Sequence, residues 1–215
     1  MTGEFVITPL KGWVNTVKYT YEANIWNNSD HLKTVYETLP SGKLAPIDYT
    51  YPNQFTRSVG FQYHQVLNAF SSYEFDLKQH YFKILGGYVR EINDNLSMGG
   101  GNNNLYTDNV PSISTAYGKT PWISDGRSQL ASEGVFGRLN YNFSEKYLLE
   151  VVGRYDGTSR FLADHRWGFY PGVSAGWNIN KEKFWDKLGA ISEHINTLKI
   201  RASYGAQGDQ SGVGS

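Results

Sequence analysis

Four segments between Gly134 and Gly205 alternate polar and apolar residues, and that alternation restricts the fold more than any other feature of the chain. They are GVFGRLNYNF (134 to 143), KYLLEVVGRYDGTSRF (146 to 161), WGFYPGVSAGWNI (167 to 179) and LKIRASYG (198 to 205). Successive side chains on a strand leave opposite faces. On the second segment Tyr147, Leu149 and Val151 therefore oppose Glu150, Arg154 and Asp156. On the third, Phe169, Val173, Ala175, Trp177 and Ile179 oppose Tyr170, Gly172, Ser174, Gly176 and Asn178. The fourth sets Leu198, Ile200, Ala202 and Tyr204 against Lys199, Arg201 and Ser203. One face is apolar and edged with aromatics, and the other is polar and charged.

Two architectures show this pattern. A soluble sandwich turns its apolar faces inward against a second sheet, whereas a membrane barrel turns them to lipid and its polar faces to a wet lumen. The strands run about 9 to 14 residues, roughly what a tilted strand needs to cross a bilayer, and exceed the usual soluble length of about 5 to 6. Aromatics gather at their ends, as Tyr141 with Phe143, Tyr147, Phe161, Trp167 with Phe169, and Trp177, where interfacial girdles sit in a barrel.

The run RYDGTSRFLADHRWGFYPGVSAGW, followed by LKIRASYGAQGDQSG, resembles the barrel of SusC/RagA-type TonB-linked outer-membrane transporters. Arg154, Asp156, Gly157, Ser159, Arg160, Phe161, Arg166, Trp167, Gly168, Phe169, Pro171, Ser174, Gly176 and Trp177 fall in register with the family's first run. Leu198, Lys199, Arg201, Ala202, Ser203, Tyr204 and Gly205 match its later strand. Thr158 and Gly172 stand where Ser is usual, and Asp209 where Asn is usual. The resemblance is dense over 133 to 212 and sparser over 5 to 91.

It implies an all-β fold, an antiparallel transmembrane β-barrel segment of about seven long strands with long extracellular loops, all of 1 to 215 being one partial barrel domain. It also implies import of large nutrients, oligosaccharides or peptides, across the outer membrane of a Gram-negative bacterium. The partners it implies are the outer-membrane lipid, the TonB complex acting through a plug domain, and a SusD-like surface lipoprotein. No catalytic, cofactor or metal residue comes with it. A barrel of the siderophore or cobalamin type and a soluble carbohydrate-binding sandwich are the alternatives.

Length and composition agree. A resembling transporter is several times longer than 215 residues, so the chain reads as a piece, and Met1 to Leu10 shows no basic start or apolar core of a cleavable signal. Twenty basic and twenty acidic residues cancel, so no global field steers nucleic acid. Zero cysteines exclude thiol chemistry. Sixteen Tyr, 6 Trp, 11 Phe and 23 Gly suit a barrel, whose apolar signal is diluted by alternation.

Along the chain, Phe5 to Ile7 reads as a short β piece closed by Pro9 and Gly12, and Trp13 to Trp26 as a long strand. Residues 27 to 54 carry loop chemistry with a possible hairpin arm at His31 to Thr38. Strands at Phe55 to Phe70 and Phe75 to Glu91 join through a turn near Ser71 and Ser72. Residues 92 to 132 form a loop of about forty residues, abnormal in a compact soluble domain but expected outside a barrel. KEKFWDKL (181 to 188) puts Phe184, Trp185 and Leu188 on one face of a short helix. If the turn at 144 to 146 is periplasmic, 27 to 54, 92 to 132 and 160 to 167 lie outside, and 71 to 75 and 180 to 197 inside.

Enzyme chemistry finds no support. Asp164, His165 and Arg166 are consecutive and do not converge on one point, and the five histidines lack metal-ligand spacing. GGGNNN (99 to 104) lacks the Lys-Ser/Thr of a phosphate loop and reads as a flexible outer loop. Tyr106, Tyr117 and Trp122 in that loop are candidates for stacking on a sugar or docking a partner. Arg154, Asp156, Arg160 and Glu150 read first as internal ion pairs bracing the wall.

Overall fold

The computed structural model describes residues 1 to 189 and 194 to 208. Ten strands are present: β1 (Thr2–Leu10), β2 (Trp13–Leu32), β3 (Tyr36–Thr38), β4 (Leu44–Pro46), β5 (Gln54–Leu77), β6 (His80–Asn103), β7 (Trp122–Phe143), β8 (Tyr147–Thr158), β9 (Trp167–Asn178) and β10 (Lys199–Gly205). Eight form one sheet in the order β1-β2-β5-β6-β7-β8-β9-β10, while β3 and β4 pair by themselves. The large sheet is an antiparallel meander with β1 and β10 at its two edges, a barrel wall that does not close. The chain divides into two compact units, one of 1 to 21, 65 to 92 and 130 to 215, the other of 22 to 64 and 93 to 129.

The sheet holds one strand more than the sequence pattern predicts. Phe5 to Ile7 is the middle of a full strand, β1, running in register from Thr2 opposite Thr20 to Leu10 opposite Trp13. The register shifts between Ile7 and Leu10. That irregularity accommodates Pro9, which has no N–H to give a ladder.

The other strands outrun their apolar patterns. β2 continues through Asn27 to Asp30, β5 through Ser71 and Ser72 to a turn at Lys78 and Gln79, and β6 through Gly99 to Asn103. The turn expected near Ser71 and the flexible loop expected at GGGNNN are therefore both strand, and Gly101 and Asn102 are buried. Ladder hydrogen bonds belong to the backbone, so polar residues extend a strand without an apolar face. The long connection shrinks to 104 to 121, and Trp122 opens β7 rather than lying in a loop. The 31 to 38 arm survives only as Tyr36–Thr38 against Leu44–Pro46. KEKFWDKL folds as a single 3₁₀ turn at Trp185–Leu188, where Trp185 alone is buried.

The alternation of the third segment survives residue by residue. Along β9 the odd positions Trp167, Phe169, Pro171, Val173, Ala175 and Trp177 are exposed, and the even positions are half-buried. Registers align apolar rows across strands: Phe143, Tyr147, Trp177 and Ile200 in one, Leu139, Val151, Val173 and Tyr204 in another. The polar rows are equally continuous, with Asn140, Glu150, Ser174 and Ser203 side by side.

These faces cover nothing. Only Phe55, Leu105 and Trp185 are buried among the described apolar side chains. The chain exposes 15471 Å², where a compact protein of this mass exposes roughly 10,000 Å². A sandwich would need a second sheet packed face to face, and the only other described sheet is the short β3–β4 pair. A single layer this exposed requires an apolar solvent on its apolar face.

Candidate functional site

The polar face of β8, β9 and β10 encloses a concavity of about 620 Å³. Arg154, Asp156, Phe161, Arg166, Gly168, Tyr170, Gly205 and Gln207 are among the residues lining it. Its central feature is a bidentate ion pair within one strand. Arg154 donates from Nε to Asp156 Oδ2 at 3.0 Å and from Nη2 to Oδ1 at 3.1 Å. Both residues point to the same face because they are two apart. Across the sheet Asp156 stands between Gly134 and Gly168, while Arg154 stands between Phe136 and Tyr170. A side chain at Gly134 would occupy the place of the Asp156 carboxylate. Arg154 lies 5.7 Å from the centre of the Phe136 ring, close enough for a cation–π contact.

The rest of the Arg-Tyr-Asp-Gly-Thr-Ser-Arg-Phe run shapes the backbone around this pair. The Ser159 hydroxyl accepts from Ala131 N at 2.9 Å, and Ser159 N donates to Ala131 O at 2.8 Å, tying the end of β8 to the middle of β7. Arg160 is exposed, and its backbone N–H donates to Thr158 Oγ1. Arg166 donates from Nε to Phe161 O at 3.0 Å. Gly157 leaves room for the Trp167 indole, which stacks on Tyr155 with ring centres 4.9 Å apart. Trp167, Phe169, Pro171 and Trp177 sit on the apolar face, with Ser174 and Gly176 opposite. On β10, Lys199, Arg201 and Ser203 share the polar side, and Arg201 reaches Ser174 Oγ at 3.5 Å. Ala202 and Tyr204 take the apolar side, Leu198 precedes the strand and Gly205 ends it. Asp209 lies outside the described residues. Glu150 meets Arg138 across the sheet at 4.0 Å, and no ion pair of Arg160 occurs among the described residues.

Two features escape the sequence pattern. The first is the extension, across β5 and β6, of the aromatic girdle expected from Tyr141, Phe143 and Tyr147 at the short-turn end of the apolar face. Tyr73, Phe75, Phe82, Tyr141, Phe143 and Tyr147 are linked through His80, with successive ring centres 4.8 to 6.2 Å apart. His80 Nδ1 and Tyr141 Oη hydrogen-bond at 2.8 Å. Tyr73, Phe75 and Phe82 come from β5 and β6, so only the pairing of distant strands reveals the belt.

The second is a clamp in the turns below it. Glu182 accepts from Tyr147 Oη at 2.7 Å, Lys146 Nζ at 3.0 Å and Trp177 Nε1 at 3.2 Å. Lys181 pairs reciprocally with Glu145 at 2.7 Å. The Tyr147 hydroxyl first, and then Lys146, hold the Glu182 carboxyl below its ordinary value. A depressed acid contributes stability above its unfolded pKa of about 4.3 and loses it as pH falls through the folded value. Acidification below about pH 4 is expected to shift the Trp177 emission in wild type and to leave Glu182→Gln, already shifted, unchanged; a fluorescence difference titration checks this.

In the other unit, Tyr106 and Tyr117 are 86% and 69% exposed. They flank a groove of about 350 Å³ with Thr107 and Thr115, on a two-stranded turn set by the Leu105–Ala116 bridge. Trp122 does not join them, because its indole lies against Gly101. Asp108 anchors this turn, accepting from Asn53 Nδ2 at 2.8 Å and pairing with His31 Nε2 at 2.9 Å. The Asn53 amide first, and then His31, depress its carboxyl, so its contribution is present above about pH 3.9 and is lost on acidification through the folded value. Asp108→Asn is expected to weaken the anchor by about 1 kcal/mol, given partial solvent screening, and to speed chymotryptic cleavage at Tyr106 or Tyr117 roughly fivefold.

Residues 7 to 208 match the family model of the TonB-dependent receptor-like β-barrel. The chain belongs to that family. TonB-dependent receptor P26 of Formosa agariphila is 48% identical over 82 residues, covering 38% of this chain and 8% of the relative. TonB-dependent receptor P3 of the same organism is 29% identical over 206 residues, covering 89% and 20%. TonB-dependent receptor SusC of Bacteroides thetaiotaomicron is 41% identical over 75 residues, covering 35% and 7%. A structure of the RagAB peptide transporter superposes with a TM-score of 0.77 at 17% identity, over 95% of this chain and 22% of that one. The chain thus spans about a fifth or less of these relatives. The exposed apolar face of this TonB-dependent receptor barrel is its lipid face, the aromatic belt marks one membrane boundary, and the concavity faces the lumen.

Proposed function

We propose that this chain forms part of the wall and outer loops of an outer-membrane transporter that imports large nutrients, oligosaccharides or peptides, with energy delivered by a TonB complex through a plug domain. The observation that carries the reading is the polar concavity, built from the motif residues Arg154, Asp156 and Gly168 on the face opposite the lipid. Arg154 and Asp156 satisfy each other in bidentate fashion, so their first role is bracing, with the outer guanidinium edge left for a plug or polar solute. The turns at 11–12, 78–79 and 144–146 then face the periplasm, and 33–53, 104–121 and 159–166 face outward. Tyr106 and Tyr117, exposed on the outer turn, are placed to stack on a substrate or to contact a SusD-like surface lipoprotein.

Uptake of fluorescent oligosaccharides and peptides by cells carrying the transporter tests this. Accumulation of one class, abolished when TonB is inactivated and reduced in Tyr106→Ala/Tyr117→Ala, is the expected result. Uptake that persists without TonB, or failure of every oligomeric substrate while an iron chelate enters, overturns the reading.

A further inference from the structure

On the lipid face, beyond the last apolar row of Val135, Tyr155 and Phe169, the next row places Glu133 beside Gly157 and Trp167. This row lies at the end of β8 and the start of β9, opposite the short turns, while β7 runs on to Trp122. Two residues along a strand are about 7 Å, so it lies just past the aromatic edge of the lipid band. A notch of about 210 Å³ opens there, lined by Arg90, Glu133, Thr158, Ser159, Arg166 and Trp167 among others.

Its chemistry is cationic. Arg90 and Arg166 are exposed, and neither has a carboxylate within ion-pair distance among the described residues. Nε of Arg166 is occupied by Phe161 O, and its terminal nitrogens meet no acceptor among the described residues. Glu133 is the acidic group in the notch, and Tyr88 Oη donates to it at 2.7 Å. Thr158 and Ser159 each accept a backbone N–H through the hydroxyl oxygen, so each retains its own hydroxyl proton for an acceptor. Gly157, without a side chain, lets the Trp167 indole lie across the floor. Guanidinium pairs with hydroxyl donors bind phosphate oxygens, and Arg does so bidentately. Scattered basic side chains at a barrel rim are ordinarily just hydrated. These two differ in lining a single concavity together with Glu133 and the exposed Trp167, which belong to the row just past the lipid band.

We propose that the notch holds the phosphate of an anionic lipid of the outer leaflet, with Arg90 and Arg166 as its ligands and Trp167 packing against the acyl-chain side of the headgroup. The proposal rests on the membrane orientation argued above.

The test is native mass spectrometry of the detergent-extracted protein, titrated with diphosphoryl lipid A, with its dephosphorylated form, and with inorganic phosphate. Binding of the phosphorylated lipid is expected to fall at least tenfold in Arg90→Gln/Arg166→Gln and to recover in part in Arg90→Lys/Arg166→Lys. Equal binding of the dephosphorylated lipid, equal binding by the Gln variant, or competition by inorganic phosphate at the same concentration as the lipid each overturns the proposal. Heat-modifiable mobility on gels is read in parallel. A barrel that is folded by this criterion but binds no lipid sinks the lipid site alone, and a protein that needs no detergent sinks the membrane reading beneath it.

Discussion

Val151→Lys is expected to destabilise the membrane-inserted barrel by about 2 to 4 kcal/mol, the cost of a cation at the midplane of a barrel's lipid face. Val151 lies in the apolar row with Leu139, Val173 and Tyr204 and is 42% exposed. One row separates it from the Phe143–Tyr147–Trp177 row on one side and from the Val135–Tyr155–Phe169 row on the other, so a lysine there sits midway between the two aromatic rows, with no short path to water along which to snorkel. Val152→Lys places the same charge one residue further on, against Gly172 on the polar face. Its ammonium enters the lumen, and a cost within about 1 kcal/mol is expected. Urea unfolding in lipid vesicles, followed by tryptophan emission, measures both. If the two lysines cost the same, the odd positions do not face lipid. A soluble protein would tolerate both, because on an open layer each position is wet.

Gly12→Ala should cost more than Gly42→Ala by about 1 to 3 kcal/mol, the usual cost of overpacking. Both glycines hold a left-handed backbone, φ +83° at Gly12 and +77° at Gly42. Any L side chain there costs about 1 to 2 kcal/mol. Nothing lies within 4 Å of a Cβ at Gly42, whereas at Gly12 the Cβ would run into the Glu74 carbonyl oxygen. That carbonyl belongs to a ladder and cannot rotate away as a flexible side chain does, and Glu74 N donates to Gly12 O at 2.9 Å. Relief would therefore part β2 from β5 at the turn. Unfolding midpoints for the two alanine variants test the difference, and equal losses would show that conformational strain alone acts at Gly12.

The glycines of the motif region make the same physical point about function. Gly134 exists for the Asp156 carboxylate and Gly157 for the Trp167 ring. Both neighbours are cross-strand partners, set by register rather than by proximity in sequence. A motif such as Arg-Tyr-Asp-Gly is therefore half of an arrangement, and the other half lies one strand away on either side.

The alternation itself was readable without coordinates. Period-2 patterning assigns Phe169, Val173 and Trp177 to one face and Tyr170, Ser174 and Gly176 to the other through backbone geometry alone, and the observed exposure of β9 follows it. The dense motif from Arg154 to Trp177 likewise carried the family. Strand ends were not readable, because β2, β5, β6 and β7 extend through Asn, Ser and Gly residues that the ladder tolerates and the pattern does not mark. Nor were Glu182, whose three donors come from Lys146, Tyr147 and Trp177, or Asp108, held by His31 at the end of β2 and Asn53 just before β5. Side-chain alternation is a local property of the chain, so the sequence by itself determined which face each residue takes. Which residues meet across the sheet depends on register and on where each ladder stops, and only the tertiary structure decided that.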